Sequence, residues 1–466
     1  MLVSQHYGRF IDTLCWSDLP CDVQEKTLDL VSDWIANAAA GFDSKMGKAL
    51  LSFVPLQKGK GTSFILGNLQ EADPLSAALI NGAASHALEF DDTYRSGLFH
   101  PGAPVISASW AAVGIKNPSG SRFLSSVAAG YEISMRLADT VNPAHNQKWH
   151  TTGTVGTFGA AASASLCMGL SAVQAAGALG LAGTQASGLW EILPDFPEAK
   201  GLHAGKAAQS GLLAALLAKQ DVFGPSTIFE GSRGFFNAMV SEHVNIKTCC
   251  EGLGDEWRLT RTTIKAYPVC GHTMTSIEAA LKLAKGLNFD EIEKIEVRVH
   301  PVSLGIAGNP APKTELEAKF SIAFCVALAL AKRKVTMKEF SAEALSDPTI
   351  LTLISKIGLV ADDSLGGTES QRPAKVSLKF CNGRVRSETA KIRKGDPENP
   401  LTGQEQKSKF LILVDDVWGR KMGETVFGAV RQLHQYDDFN TWLNENIFPW
   451  QKKIQPSARS MGRNNL

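Results

Sequence analysis

Long stretches of the first 260 or so residues are written in small side chains. ASWAAVG, GTFGAAASASLCMG, AVQAAGALGLAG and HAGKAAQSGLLAALLA put alanine, glycine and serine at most positions. Alanine favours helix, and a helix without bulky side chains is buried by bringing its backbone close to a neighbour's. The chain is therefore predicted to build a large bundle of closely packed helices. The same stretches are no membrane spans, because Ser, Gln, Lys and His are interleaved through them. The longest strongly apolar run, Phe320 to Ala331, is shorter than the ~20 residues a bilayer requires.

Composition supports a globular protein with a neutral surface. Of 466 residues 44% are hydrophobic and 20% charged, ample for a core, and 47 Lys plus Arg against 46 Asp plus Glu leave a net charge of +1. Such a balance offers no global field for nucleic acid or an anionic membrane, so neither is expected as a partner. The eight cysteines are dispersed, Cys249 and Cys250 are adjacent, and there is no CxxC or HExxH, which argues against a disulfide framework and a metal site. With polar and charged residues throughout the first sixteen positions, the expectation is a cytoplasmic protein in a reducing compartment.

Helical periodicity is strong from Pro20 to Ala39, and further helices are predicted over 73–88, 103–115, 120–138, 153–168, 171–185 and 203–220. Beyond residue 260 the texture changes to period two in RTTIKAY, KIEVRVHPV and KVSLKFCNGRVRSETAKIR, with helices expected over 273–286 and 313–332, and Asn382-Gly383 signalling a two-residue hairpin turn. The fold predicted is mainly α with an α+β part: a helical domain from residues 1–262 and 400–466, with an α+β lid domain, 263–399, inserted. The tail after Gln455 is expected to fray.

Four loops that open helices carry titratable groups. SHALEFDDTYRSGLFHPGAP brings Glu89, Asp91, Asp92 and Thr93 ahead of His100, where helix-end capping is the bland alternative. HNQKWHTTGTVGTFG places His145, Lys148 and His150 before a helix whose free amides favour an anion; its GxxGxxG follows no strand and suits helix packing better than a dinucleotide. EAKGLHAGKAAQSG supplies Lys200, His203 and Lys206. IKAYPVCGHTMTSIEAAL offers Lys265, Cys270 and His272 where a strand would end at Tyr267; a buried thiol there is at least as common as a nucleophile. Acids, His, Lys and Thr without a phosphate loop or a GxSxG nucleophile point to proton abstraction next to a carboxylate.

At these residues the chain resembles the MmgE/PrpD family. The resemblance covers nearly the whole length and rests on SHALEFDDT followed by HPG, WHTTGTVGTFGAAASAS, KGLHAGKAAQSGLLAALLA, KAYPVCGHT and LEAKFSIAF. It implies a cofactor-free, metal-free homodimeric enzyme acting on a di- or tricarboxylate between its two domains. The family's acid and threonine before the HP turn fall on Glu89, Asp92 and Thr93, with His100 in the turn; its other motif positions fall on His150, Lys200, Lys265 and His272. Glu89 stands where Asp is frequent, Met274 where His is frequent, and the turn continues as HPGAP.

The length and total pattern are most similar to an epimerase of an aminodicarboxylate such as iminodisuccinate. In that reading His100 or His150 pairs with Lys265 or His272 in proton transfer, and Lys148, Lys200, Glu89, Asp92 and Thr93 hold or orient the substrate. Dehydration or decarboxylation of a 2-methylcitrate- or cis-aconitate-type tricarboxylate is the alternative enzyme reading, and non-catalytic carboxylate binding the alternative of another class. His100 and Lys265, both expected in loops, should tolerate truncation at little cost in stability.

Overall fold

The computed structural model describes residues 2–52, 61–192, 199–240, 244–366 and 372–451, and the tail after Gln455 lies outside them. The chain divides into two compact units, Met1–Thr262 with Thr402–Leu466, and Thr263–Leu401. It is mainly helical, with its larger sheet in the second unit.

In the first unit the small-residue text becomes a nest of buried helices. Thr151–Met168 is buried along its whole length and packs against Gly102–Lys116, Gly120–Val141 and Ala199–Ala218, the last of which also lies on Pro74–Ala87. The contact of Gly120–Val141 with Thr151–Met168 is backbone on backbone. A Cβ at Gly130 would stand 2.7 Å from the Gly159 carbonyl oxygen, and one at Gly159 would stand 2.9 Å from that of Gly130. GxxGxxG is thus a packing device here, because any larger side chain would force the helices apart.

Side-chain caps fix where the helices begin. Asp73 accepts from Ser76 N ahead of Pro74, Ser119 from Arg122 N, and Ser171 with Gln174 closes a capping box. The chain's last helices return to the same unit: Gly403–Trp418 packs on Cys21–Gly41. From it Lys409 reaches Asp33 at 2.5 Å and the Phe90 carbonyl at 2.8 Å, fixing the backbone that carries Asp91. The antiparallel pair Ser63–Ile65 and Gln70–Ala72 has strands of three residues, too short for period two to register.

The second unit is built on four strands in the order Ile357–Ala361, Ile292–Val299, Ala374–Phe380, Val385–Ala390. Only the first pair is parallel, with Val297 opposite Leu359 on one side and Val376 on the other. A register shift between Ile292 and Lys294 turns both Ile292 and Ile295 inward in spite of their odd spacing.

Four local expectations change. The strand expected in RTTIKAY is an extended segment whose Ile264 N donates to Gly395 O at 3.1 Å, because its neighbour is a loop rather than a strand. Asn382-Gly383 does make the hairpin, but with Gly383 alone at positive φ (81°) and Gly383 N donating to Phe380 O, a turn followed by a bulge. The helix expected over 313–332 breaks into Glu315–Lys319 and Ile322–Lys332, where Ser321 caps Phe324 N. Lys200, read as preceding its helix, lies in the first turn of Ala199–Ala218.

Candidate active site

The first unit gathers four histidines. Helix Pro74–Ala87 carries His86 in its last turn; the loop after it carries Glu89, Asp91 and Asp92, turns through the Tyr94–Phe99 bridge and delivers His100 just before helix Gly102–Lys116. His150 caps Thr151–Met168 and His203 lies in Ala199–Ala218. Ring centroids of His86 and His100 are 4.5 Å apart, those of His86 and His150 5.9 Å, and those of His150 and His203 5.4 Å. Trp190 covers His150 at 4.3 Å, tied down by its indole N–H to Asn146 at 3.2 Å.

Asp91 organises the first two rings. Its Oδ2 lies 2.7 Å from His86 Nδ1 and 3.2 Å from His100 Nδ1. Burial pushes its carboxyl upward, but the pull of His100 and His86 outweighs this and holds it well below the usual carboxylate range. His100 Nδ1 also faces the Asp92 carbonyl at 2.9 Å. Both partners only accept, so His100 Nδ1 must carry the proton, and its Nε2 is left with a lone pair. The same logic fixes His86. Its Nε2 is buried without a hydrogen-bond partner among the described residues, as are Asp91 Oδ1 and Thr93 Oγ1. Burial and the charges of His86 and Lys200 bring His100 down to about 4 against Asp91's upward pull, so the ring is neutral near neutral pH and able to take a proton.

Asp92 has a different task. It accepts from Gly102 N at 3.2 Å and from the Tyr131 hydroxyl at 2.9 Å, pinning the start of the helix that follows His100. A side chain at Gly102 would overlap that carboxylate. Burial beside Asp91 and Asp33 pushes Asp92 up to about 8. Glu89 sits at φ 56°, a left-handed conformation costly for a side-chain-bearing residue. It pairs with Lys200 Nζ at 2.6 Å, both groups nearly buried. His145, by contrast, donates to the Met239 carbonyl and meets the Thr154 hydroxyl, a satisfied core residue.

In the second unit Lys265 and His272 flank the KAYPVCGH turn. The loop from Arg393 braces both flanks: Gly395 O holds Ile264 N, Asp396 takes the Thr263 hydroxyl at 2.6 Å, and Arg393 reaches Gly271 O at 3.5 Å while pairing with Asp396. His272 Nδ1 meets Ser303 Oγ at 3.1 Å, and burial with nearby Arg372, Arg393 and His300 brings it down to about 3. Lys265 is only 1% exposed, one of the largest fully buried side chains. The expectation that it tolerates truncation therefore fails, since a loop position need not be an exposed one. Cys270 is buried in the turn.

Of the sequence candidates, the first unit brings together Glu89, Asp92, Thr93, His100, His150 and Lys200, and the second carries Lys265 and His272. Lys148 is exposed, and the contact it supplies is its backbone oxygen, held by Trp190 N at 3.1 Å. Sequence reasoning notes Asp91 and His203 inside their motifs without a role and passes over His86, whose place inside an alanine-rich helix reads as packing. His86, Asp91 and His100 also offer donor atoms within 4.8 Å of one another, a set able to take a divalent cation. No short ligand spacing signals it, because the three are spread over fifteen residues and meet through the loop.

Residues 5–246 match the MmgE/PrpD N-terminal domain and residues 267–434 the MmgE/PrpD C-terminal domain. Among curated proteins, a cis-aconitate decarboxylase-like protein of Aspergillus oryzae is 26% identical over 92% of this chain and 93% of its own. The cis-aconitate decarboxylase of Mus musculus is 27% identical over 78% of this chain and 77% of its own, and that of Aspergillus terreus 25% identical over 95% of each. These relatives favour the decarboxylase alternative over the epimerase that the sequence pattern put first.

Proposed function

The chain belongs to the MmgE/PrpD family, and on that premise we propose that it is a lyase that decarboxylates a cis-aconitate-type tricarboxylate by proton chemistry, without a cofactor. The relatives at 25–27% identity carry that activity in their names. The observation that carries the reading to this chain is the Asp91 carboxylate, which takes the Nδ1 protons of His86 and His100 and leaves a lone pair on each Nε2.

In the proposed reaction the bond between one carboxylate and the carbon skeleton breaks, carbon dioxide leaves, and the electron pair stays on the skeleton. A proton is then added to carbon, giving an unsaturated dicarboxylate one carbon shorter. His150 is the group assigned to give that proton, and His100, whose Nε2 holds a lone pair, is assigned to take a proton up at Nε2 before passing it on. Lys200, already seated against Glu89, is assigned to a substrate carboxylate, and Asp91 is a positioning residue that lets His100 bear charge transiently. Lys265 and His272 remain candidates for the same proton chemistry on the evidence of their motif, and Thr93 for a hydrogen bond through its buried hydroxyl. The enzyme is proposed to act as a homodimer.

Proton NMR in deuterium oxide tests this with a panel of cis-aconitate, 2-methylcitrate and iminodisuccinate. Stoichiometric carbon dioxide with a new, deuterated olefinic product supports decarboxylation. Deuterium exchange next to a carboxylate with no carbon dioxide refutes it in favour of the epimerase, and loss of water alone in favour of a dehydratase.

A further inference from the structure

His150 and His203 face each other through the same ring atom. Their Nδ1 atoms are 3.1 Å apart, so one must donate and the other accept, and a single proton is shared between two neutral imidazoles. The contact is built rather than incidental. A Cβ at Gly188 would stand 3.2 Å from His203 Nδ1, and one at Gly153 would stand 3.2 Å from His203 Cβ, so two glycines clear the space for this ring. Gly188 O also takes the backbone N–H of His150 at 2.9 Å. His150 is 1% exposed under Trp190, whereas His203 is half-buried, so the pair runs from a sealed ring to one that meets solvent.

We propose that His203 is the proton gate of this site, exchanging protons with solvent so that His150 can protonate the reacting carbon without taking on charge; this rests on the decarboxylase reading, which consumes one proton per turnover. At rest His203 carries the shared proton and His150 holds its own on Nε2. When carbon dioxide has left, His150 gives its Nε2 proton to the skeleton and takes the shared proton at Nδ1, while His203 gains a proton at Nε2 from water or a buffer acid. After product leaves, His150 takes a proton at Nε2 from entering water and returns its Nδ1 proton to His203, which sheds its Nε2 proton to solvent. Two protons enter and one leaves, so the net proton consumed per turnover is the one that entering water returns to His150, and neither ring keeps a charge. Burial above all, and then Lys200, His86, His203 and His100 facing it, oppose a lasting imidazolium at His150. Concerted transfer avoids one.

Two measurements on the full chain test it. In the first, His203→Gln lowers kcat at least about tenfold with KM within twofold, and imidazole added to the assay restores turnover, as expected for a lost proton-transfer group. Turnover within twofold of wild type, or a loss that imidazole does not restore, overturns the gate while leaving the decarboxylase reading intact. The second needs no substrate: ¹⁵N spectra of the labelled wild-type protein should show one protonated and one unprotonated Nδ1 for His150 and His203. Two unprotonated Nδ1 atoms overturn the gate whichever reaction the protein catalyses. If wild type releases no carbon dioxide from any substrate in the panel, the decarboxylase reading fails and the gate falls with it, whatever the spectra show of the shared proton.

Discussion

Replacing Asp91 by Asn tests the centre of the site, because the change keeps the shape and removes only the charge. At 3.2 Å from His100 Nδ1, a carboxylate stabilises an imidazolium by about 5 kcal/mol at the effective dielectric of about 20 suited to protein sites. The amide dipole returns part of that, so a loss of about 3–5 kcal/mol is expected for any step in which His100 bears a proton on both nitrogens, corresponding to ~10²–10⁴-fold in kcat. There is a second effect. Both rings meet the same atom, Oδ2, so the amide of the Asp91→Asn variant keeps both Nδ1 protons when its oxygen takes that place, and an N–H there would instead force both rings to hold their protons on Nε2, removing the base. Two charge-assisted hydrogen bonds become neutral ones, so stability should fall by about 1–3 kcal/mol while the fold persists. The assay is the pH dependence of kcat, with circular dichroism to confirm folding. The acidic limb of kcat should also move to lower pH, because His100 loses the negative neighbour that raises it. Retention of more than about a tenth of the wild-type rate, with the limb unmoved, would refute the role given to Asp91, since a merely structural contact changes stability without moving that limb.

Three other outcomes are expected. In a double-mutant cycle measured by urea unfolding, Lys200→Met should cost up to about 3–5 kcal/mol by taking a close cationic partner from buried Glu89, and adding Glu89→Gln should recover much of it; strict additivity would mean that the 2.6 Å pair is not a unit. Because Asp92 holds a proton up to about 8 that the unfolded chain has already lost, stability should fall by up to about 2 kcal/mol as pH rises from about 6.5 to 8, and Asp92→Asn should flatten the fall. Below pH 6.5 the sign reverses, since the unfolded chain binds protons that buried His100 and His145 refuse until about 4; a thermal-shift profile flat between pH 5 and 6.5 would contradict this. Exhaustive chelation should leave activity intact, and static light scattering should give a particle near twice the 50.0 kDa chain; loss of activity restored by one equivalent of zinc would instead put a metal on His86, Asp91 and His100.

What the sequence shows of this molecule is what repeats along it. The alanine and glycine periodicity marks the buried helices because every turn votes the same way, and the inward positions of the 292–299 strand are readable apart from the bulge near Lys294. The strand expected in RTTIKAY has the right alternation and no partner strand, and pairing is information a single segment does not hold. Lys265 illustrates the same gap for burial: a lysine in a loop reads as exposed, whereas the fold buries it next to Thr263 and Ile264, which the loop from Arg393 to Asp396 holds from more than a hundred residues away. His86 is hidden for the opposite reason. It occupies a helical position among small residues, and its meaning comes from Asp91 five residues on, after the helix has ended and the chain has turned back.

The same small residues that make the helices legible also explain why the histidines can act together. A ring inside a loosely packed pocket would choose its own rotamer and tautomer, and water would screen each proton from the next. Here Gly102 admits the Asp92 carboxylate, Gly153 and Gly188 admit His203, and Lys409 pins the carbonyl of Phe90 beside Asp91. Each ring is thereby limited to one or two partners, and those partners decide which nitrogen holds the proton. The cost is that burial holds His100, His150 and His203 neutral, so none of the three can store charge. Between His150 and His203 proton transfer then passes between neutral rings along a fixed hydrogen bond, with half-buried His203 meeting water, while at His100 the charge borne in transit is offset by Asp91. Reactions on carbon next to carboxylates benefit from that arrangement, because the carbanion they form is protonated by a donor already in place rather than by water.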